Sequence, residues 1–200
     1  KAVEYLQKAA SIEPRRFEAY YNLSNIYLLQ KKYADAIDVC KLGLAANPNH
    51  DRIHNNLGYA YFHTGKASDA IGCAKTAVTI NPANEVACFN LGTYYEAGND
   101  IAAAAQCYKK ALEIRPDYYD ALLNSGTLDA QSNSLKTAEA KLVKAKSLKP
   151  SDGRSYYNLG ILYHMSGDKQ KAIAEYKQAI SLEPAYSDEL TPYIKQLEGK

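Results

Sequence analysis

The sequence predicts an all-α protein in which antiparallel helix pairs stack side by side as an α-solenoid. The first observation is a fixed period, because all but one of the seven prolines are spaced 34 residues apart. They are Pro14, Pro48, Pro82, Pro116, Pro150 and Pro184. The second observation is that small apolar residues recur in the same phase, for example Ala36, Ala70 and Ala104. Self-similarity at a period of about 20 to 50 residues is the signature of a stacked repeat architecture.

Each period of 34 residues contains two predicted helices. Residues 17–29 and 34–45 carry apolar side chains at steps of three and four, which is the helical period. Between the two helices, corresponding positions hold residues that suit the left-handed conformation at a helix end. These positions are Gly65, Asn99, Asn133 and Gly167, with the less suitable Lys31 in the first period. The proline then ends the second helix, because it lacks the N–H that the next hydrogen bond needs.

The first helix of each period combines one column of small residues with columns of large ones. Small residues let two helices approach closely, and here they are Ser24, Gly58, Gly92, Gly126 and Gly160. We expect the large residues to form the core: Leu23, Leu57, Leu91 and Leu159, then Tyr27, Tyr61, Tyr95 and Tyr163.

In the fourth period Ser125 and Asp129 replace the Leu and the Tyr. We expect this period to be the least stable, because a buried Asp is costly unless paired. The alternative is that Leu128 turns inward and Asp129 reaches solvent.

The order of these residues within a period resembles the tetratricopeptide repeat. One period reads Asn90-Leu91-Gly92, then Tyr95, Ala104, Tyr108, Ala111 and Pro116. The resemblance implies one array over residues 1–200, a right-handed superhelix whose concave groove is lined by the first helix of each repeat. We expect a partial repeat at 1–16, full repeats at 17–50, 51–84, 85–118, 119–152 and 153–186, and a C-terminal capping helix at 187–200. Because the chain starts inside a repeat and without Met, we expect the natural N-terminus to lie upstream.

An asparagine occupies the same place in the first helix of every full repeat. The five are Asn22, Asn56, Asn90, Asn124 and Asn158. Asparagine is a poor helix former, so helix formation does not account for it. The column resembles the asparagine ladder of O-linked N-acetylglucosamine transferase, which implies a groove whose side-chain amides bind a peptide backbone. An amide can both donate and accept hydrogen bonds. The alternative is that each asparagine ties one helix to the next, and both roles can hold together.

Helical geometry places further side chains on the same face, about one turn from the asparagines. They mix aromatic, amide and guanidinium groups, as adaptable recognition surfaces do. Besides the asparagines, the peptide-binding candidates are Tyr21, Asn25, Arg52, Asn55, Tyr59, Phe89, Arg154 and Tyr157. The two arginines each match one cation of the carboxylate clamp in chaperone-binding members. Val86 and Asp120 stand where that clamp needs further cations, so we predict no binding of a chaperone's acidic C-terminal tail.

The composition argues against several other functions. The net charge of +2 gives no strong attraction to nucleic acid or to an anionic membrane, and no apolar stretch approaches the length of a membrane-spanning helix. His50 and His54 have a metal-compatible spacing but no third ligand nearby, and no catalytic constellation has a supporting context. We therefore expect neither enzymatic activity nor a metal or cofactor. The four cysteines fit buried free thiols, which favours a reducing compartment and predicts a cytoplasmic location.

The sequence therefore predicts a protein–protein interaction scaffold that binds an extended peptide or partner segment in its groove. An alternative is the substrate-targeting region of a larger enzyme, such as a glycosyltransferase, whose catalytic domain would lie outside this chain. Self-association through the solenoid ends is also open, because such an end exposes apolar surface.

Overall fold

The computed structural model describes residues 17–199, and within that range it contains α-helices, one short 3₁₀ helix and no strand. The first helices of the pairs are α1 (Phe17–Leu29), α3 (Asp51–His63), α5 (Glu85–Ala97), α7 (Tyr119–Gln131) and α9 (Gly153–Ser166). Their partners are α2 (Tyr33–Ala46), α4 (Ala67–Ile80), α6 (Ile101–Ile114), α8 (Leu135–Leu148) and α10 (Lys169–Leu182). A 3₁₀ turn (Pro184–Tyr186) leads into α11 (Ser187–Glu198). The partial repeat predicted at 1–16 lies outside the described residues.

The helices group into two compact units, one ending at Ile114 and the other beginning at Arg115. In the first unit, α1 packs on α2, α3 on α4 and α5 on α6, and each later first helix also contacts both helices of the pair before it. In the second unit α7 to α10 repeat this arrangement, and α11 packs on α10. The predicted all-α fold of stacked helix pairs is confirmed.

The turns between paired helices confirm the predicted left-handed positions, including the unfavourable one. The backbone angle φ is 56° at Lys31, 62° at Asn99 and 59° at Asn133, and it is also positive at Gly65 and Gly167. The residue that follows each of these donates its N–H back to a carbonyl near the end of the first helix, as Lys32 does to Tyr27 at 2.8 Å. The same bond recurs in every pair. Because backbone groups make it, the turn forms even where a lysine must adopt the left-handed conformation, at a cost of about 1 kcal/mol.

Small residues allow the two helices of a pair to pack closely. The alanines at one position of the second helices, Ala36, Ala70, Ala104, Ala138 and Ala172, are completely buried. A Cβ atom added at Gly160 would lie 2.3 Å from the ring of Tyr176, and one at Gly92 would lie 2.7 Å from the ring of Tyr108. A larger residue at either glycine would therefore force the helices apart.

The tyrosine column is less uniformly buried than the sequence predicts. Tyr27 and Tyr163 are buried, but Tyr61 and Tyr95 are only half-buried. The Nζ atom of a lysine lies 5.6 Å from each of these two rings, so they form the boundary between the core and solvent. Tyr94, the neighbour of Tyr95, is buried in the core instead.

Lys141 on α8 supplies the polar partner that the fourth pair needs. Its Nζ lies 2.6 Å from Oγ of Ser125 and 2.7 Å from Oδ2 of Asp129. Leu128 is buried, as the alternative interpretation of this repeat predicts, and about a quarter of the Asp129 side chain is exposed. An ion pair has therefore replaced apolar packing at this position. The lower stability expected of this repeat stays a prediction.

Candidate functional site

Two adjoining cavities lie on the first-helix face of the first unit. The polar cavity, of about 320 Å³, is lined by Tyr21, Arg52, Asn55, Asn56, Asn81, Ala83, Asn84, Glu85 and Val86. The apolar cavity, of about 430 Å³, is lined by Asn25, Leu28, Leu29, Asn55, Asn56, Tyr59, Val86 and Asn90. Because Asn55, Asn56 and Val86 belong to both, the cavities form one continuous surface across α1, α3 and α5. Seven of the thirteen predicted binding residues line this surface.

The asparagines on this surface connect successive first helices. Nδ2 of Asn56 on α3 donates to Oγ of Ser24 at 2.9 Å and to Oδ1 of Asn25 at 2.7 Å, both on α1. In the next pair, Nδ2 of Asn90 on α5 donates to Oδ1 of Asn55 at 2.9 Å. Asn56 and Asn90 therefore tie each first helix to the one before it, as the alternative interpretation of this column predicts.

Each of these asparagines also keeps one polar atom without a hydrogen bond in the described structure. The atoms are Oδ1 of Asn56 and Asn90, which accept, and Nδ2 of Asn25 and Asn55, which donate. None of them is among the buried, unsatisfied polar atoms of residues 17–199, so they retain access to solvent at the cavity walls. The surface therefore offers both donors and acceptors, the groups that an extended peptide backbone requires.

The remaining asparagines of the column have different environments. Asn22 is exposed, whereas Asn124 and Asn158 are half-buried in their helices. Asn124 also has an interaction of its own and is not free. These three residues line neither cavity. The structure therefore brings together only the second and third members of the predicted ladder.

Apolar and aromatic side chains form the rest of the wall. Leu29, at the last position of α1, is 85% exposed and stands beside Leu28 in the apolar cavity. Tyr59 packs against His63 with ring centroids 4.4 Å apart, and its partial burial raises the pKa of its phenol. Phe89, predicted to bind, lies outside both cavities and packs against Tyr108.

The two arginines predicted to bind have opposite surroundings. Arg154 places Nη2 2.8 Å from Oδ2 of Asp152 and Nη1 3.3 Å from Oδ1 of Asp120. The hydrogen bond from Arg154 lowers the pKa of Asp152, and the pKa of the guanidinium is itself raised by that bond. Arg52 lines the polar cavity, is exposed and has no carboxylate at ion-pair distance within residues 17–199. It is therefore the arginine that remains available to a ligand.

Some residues that line the two cavities are not predicted from the sequence. Asn81 and Asn84, in the turn before α5, each donate at 2.8 Å to Oδ2 of Asp51. Burial raises the pKa of Asp51, but these bonds outweigh it and the net pKa lies below its ordinary value. Because Asn81 and Asn84 lie in a turn, the helical periodicity of the sequence does not place them on the binding face. Leu29 is not predicted either, because in the sequence it cannot be told from a core leucine and only its exposure in the structure distinguishes it.

A third cavity belongs to the second unit and contains another predicted binding residue. This aromatic cavity, of about 340 Å³, is lined by Tyr157, Ile161, His164, Met165, Tyr176, Glu189, Leu190 and Tyr193. Tyr157 donates its phenolic O–H to Oε1 of Glu189 on α11 at 2.6 Å and stacks on Tyr186 at 5.0 Å. The hydrogen bond to that carboxylate, followed by burial, raises the pKa of the Tyr157 phenol. Tyr157 is thus engaged by the C-terminal helix.

The residues considered for metal or nucleophilic chemistry have ordinary structural partners. Nδ1 of His50 accepts the N–H of Ile53 at 3.2 Å and caps α3, while Nε2 of His54 lies 2.9 Å from the Pro48 carbonyl. Within the described range, no group of three His, Cys, Asp or Glu side chains could hold a metal. Burial raises the pKa of the Cys40 thiol to about 12, which disfavours the reactive thiolate. No helix between residues 17 and 199 is long and apolar enough to cross a bilayer.

Solved structures with the same architecture are numerous. YrrB, described as a tetratricopeptide repeat protein with an unusual peptide-binding site, has a TM-score of 0.72 at 19% identity, covering 91% of this chain and 94% of YrrB. MamA has a TM-score of 0.71 at 24% identity, covering 83% of this chain and 97% of MamA. PilF of Pseudomonas aeruginosa has a TM-score of 0.80 at 20% identity, covering 90% of this chain and 82% of PilF. These similarities show a shared fold.

Sequence comparison identifies the family. No curated protein shows significant sequence similarity to this chain. Tetratricopeptide repeat family models match residues 1–57 and 28–87, then 86–118, and finally 153–186. Residues 119–152, where Ser125 and Asp129 interrupt the repeat pattern, lie outside these segments. With most of its length matched and its helix pairs stacked as described, this chain belongs to the tetratricopeptide repeat family.

Proposed function

We propose that this protein is an interaction scaffold that binds an extended peptide or partner segment on the first-helix face of its first unit. Tetratricopeptide repeat proteins are generally protein-interaction scaffolds, and YrrB is described as having a peptide-binding site. The observation that carries the proposal is the continuous surface formed by the polar and apolar cavities, where unpaired amide atoms and apolar side chains line the same walls.

The unpaired amide atoms suit a peptide backbone. A backbone in extended form presents N–H and C=O groups at every residue, and side-chain amides can pair with both regardless of sequence. Each such hydrogen bond contributes about 1 kcal/mol net. Because Asn56 and Asn90 are already held by bonds to the neighbouring helix, their free oxygens are positioned before a ligand arrives. Binding then costs little side-chain entropy.

Apolar contact and one positive charge add affinity and direction. Leu29 is the most exposed of the large apolar side chains in the described structure, and a ligand that covers it removes that area from water. Arg52 adds an unpaired guanidinium at the polar end, which favours a ligand with an acidic side chain there. The same surface also lacks the additional cations of a carboxylate clamp. Val86 stands where that clamp needs a cation, and this apolar residue lines both cavities. We therefore still predict no binding of a chaperone's acidic C-terminal tail.

The test selects peptides from a random display library with the wild-type protein and measures their affinities for four variants. Leu29→Ser and Arg52→Gln alter exposed residues of the surface, so each should fold normally. Leu42→Ser and Lys109→Gln are matched controls, because both side chains are exposed on second helices. We expect each surface variant to weaken binding by about three- to tenfold, corresponding to roughly 1 kcal/mol, and each control to leave it unchanged. Equal binding by all four variants, or no enriched peptide, would overturn the proposal.

A further inference from the structure

We propose that the aromatic cavity of the second unit binds a methylated ammonium group, such as that of choline or of a trimethylated lysine side chain. The cavity is separate from the surface proposed for peptide binding and lies wholly within residues 157–193. Its volume of about 340 Å³ is at the lower end of the roughly 300–1,000 Å³ typical of small-molecule sites.

Aromatic rings dominate the cavity wall. His164, Tyr176 and Tyr193 form a cluster in which ring centroids are 5.8 to 6.3 Å apart, and Tyr157 adds a fourth ring to the lining. The faces of aromatic rings carry negative potential and attract cations, and quaternary ammonium ions lose little hydration when they bind there. Tyr193 is 43% exposed, so the cavity that it lines reaches solvent beside this ring.

The charge in the cavity has the sign that a cation requires. Glu189 is the one formally charged residue of the lining, and neither lysine nor arginine lines the cavity. Its Oε1 accepts the O–H of Tyr157 at 2.6 Å, which increases electron density on that ring and strengthens its attraction for a cation. A neutral ligand of the same shape would gain the apolar contacts with Ile161 and Leu190 but neither of these electrostatic interactions.

Met165 provides a direct probe of this cavity. It lines the cavity, is 52% exposed and is the single methionine of the chain. In protein labelled with ¹³C at the methionine methyl group, its signal can be followed by NMR while a ligand is added. The ligands are choline and an acetylated trimethyllysine peptide, with an unmethylated lysine peptide and 3,3-dimethylbutan-1-ol, the neutral isostere of choline, as comparisons.

We expect the Met165 signal to shift saturably with choline, the trimethyllysine peptide or both, and the stronger of the two identifies the source of the group. The neutral isostere should bind at least about tenfold more weakly, given the usual strength of cation–π contacts. Equal shifts with the isostere, or no saturable shift with either methylated ligand, would overturn the proposal.

Three variants separate recognition from folding. Tyr193→Leu removes an exposed ring but keeps apolar volume, and Glu189→Gln removes the charge alone. Each should weaken binding by about three- to tenfold. Tyr156→Leu is the matched control, because this half-buried tyrosine on α9 bonds to the Pro150 carbonyl and does not line the cavity. Unchanged affinity in both cavity variants, or an equal loss in the control, would contradict the assignment.

Discussion

Gly160→Ala is expected to destabilise the second unit, because the added methyl group overlaps the ring of Tyr176. The new Cβ would lie 2.3 Å from Cδ1 and 2.5 Å from Cε1 of that ring. Tyr176 is 2% exposed and packs against α9, so relieving the overlap requires the ring to shift toward the aromatic cavity that it lines and to lose part of its packing. The overlap is the closest that any glycine of the described structure would produce.

The net effect combines a loss and a gain. Overpacking a well-filled core costs about 1 to 3 kcal/mol, and the short distance at Gly160 argues for the upper end. Replacing glycine by alanine inside a helix returns about 1 kcal/mol. We therefore expect Gly160→Ala to lower the free energy of unfolding by about 2 kcal/mol. Gly72→Ala is the control, because nothing lies within 4 Å of the new Cβ on the exposed face of α4. That variant should gain about 1 kcal/mol.

The measurement is urea unfolding followed by circular dichroism, together with amide hydrogen exchange in α9 and α10. Exchange is needed because stacked repeats need not unfold as one cooperative unit. Accelerated exchange should be greatest in α9 and α10 for Gly160→Ala. A Gly160→Ala variant as stable as the wild type would show that the Tyr176 ring has room to move. A destabilised Gly72→Ala variant would show that replacing glycine by alanine does not stabilise these helices.

The first helix pair suggests a compensating change. There Ser24 occupies the glycine position and Cys40 the tyrosine position, and both are completely buried. A Gly160→Ser variant should therefore be partly rescued by Tyr176→Cys, although the second change alone leaves a cavity. The double-mutant cycle should show coupling of at least about 1 kcal/mol. Strict additivity would mean that the two positions do not constrain each other.

Other contacts predict further measurable effects. Asn56→Ala should cost about 1 to 2 kcal/mol in urea unfolding by leaving two acceptors on α1 unpaired, whereas the exposed Asn22→Ala should change stability by less than about 0.5 kcal/mol. Burial lowers the pKa of His50 and His63, so the unfolded chain binds protons at higher pH than the folded chain. The melting temperature should therefore fall as pH drops below about 6.5. The His50→Asn variant keeps a capping acceptor and should show a smaller fall. Lys141→Met should lower the free energy of unfolding by about 1 kcal/mol, because it leaves the half-buried carboxylate of Asp129 without its ion-pair partner. Wild-type stability in the variant would mean that water hydrates this carboxylate as favourably as Lys141 pairs with it. Amides of α7 and α8 should exchange faster than those of α5 and α6 in the wild type, and equal protection would refute the lower stability expected of the fourth repeat.

The sequence by itself determines the family, the helix pairs and the turns of this protein. These features depend on local chemistry: apolar residues at helical spacing, glycine or asparagine where φ is positive, and proline where a helix ends. The alanine and glycine columns predict close packing for the same reason, since a side chain's size is known before its partner is. Even Lys31 conforms, because its neighbours make the same backbone hydrogen bond as in the other turns.

The tertiary structure alone decides which members of a column can bind a ligand. Arg52 and Arg154 occupy the same repeat position, yet among residues 17–199 only Arg154 has carboxylates at ion-pair distance, one of them 34 residues away on the preceding first helix. Asn56 and Asn22 share another column, but within the described part of the chain only Asn56 of the two bonds to a neighbouring helix and lines a cavity. A repeat pattern specifies the face of a helix on which a residue lies. Its hydrogen bonds, charge pairs and access to solvent depend on side chains from neighbouring repeats, which vary independently of the pattern.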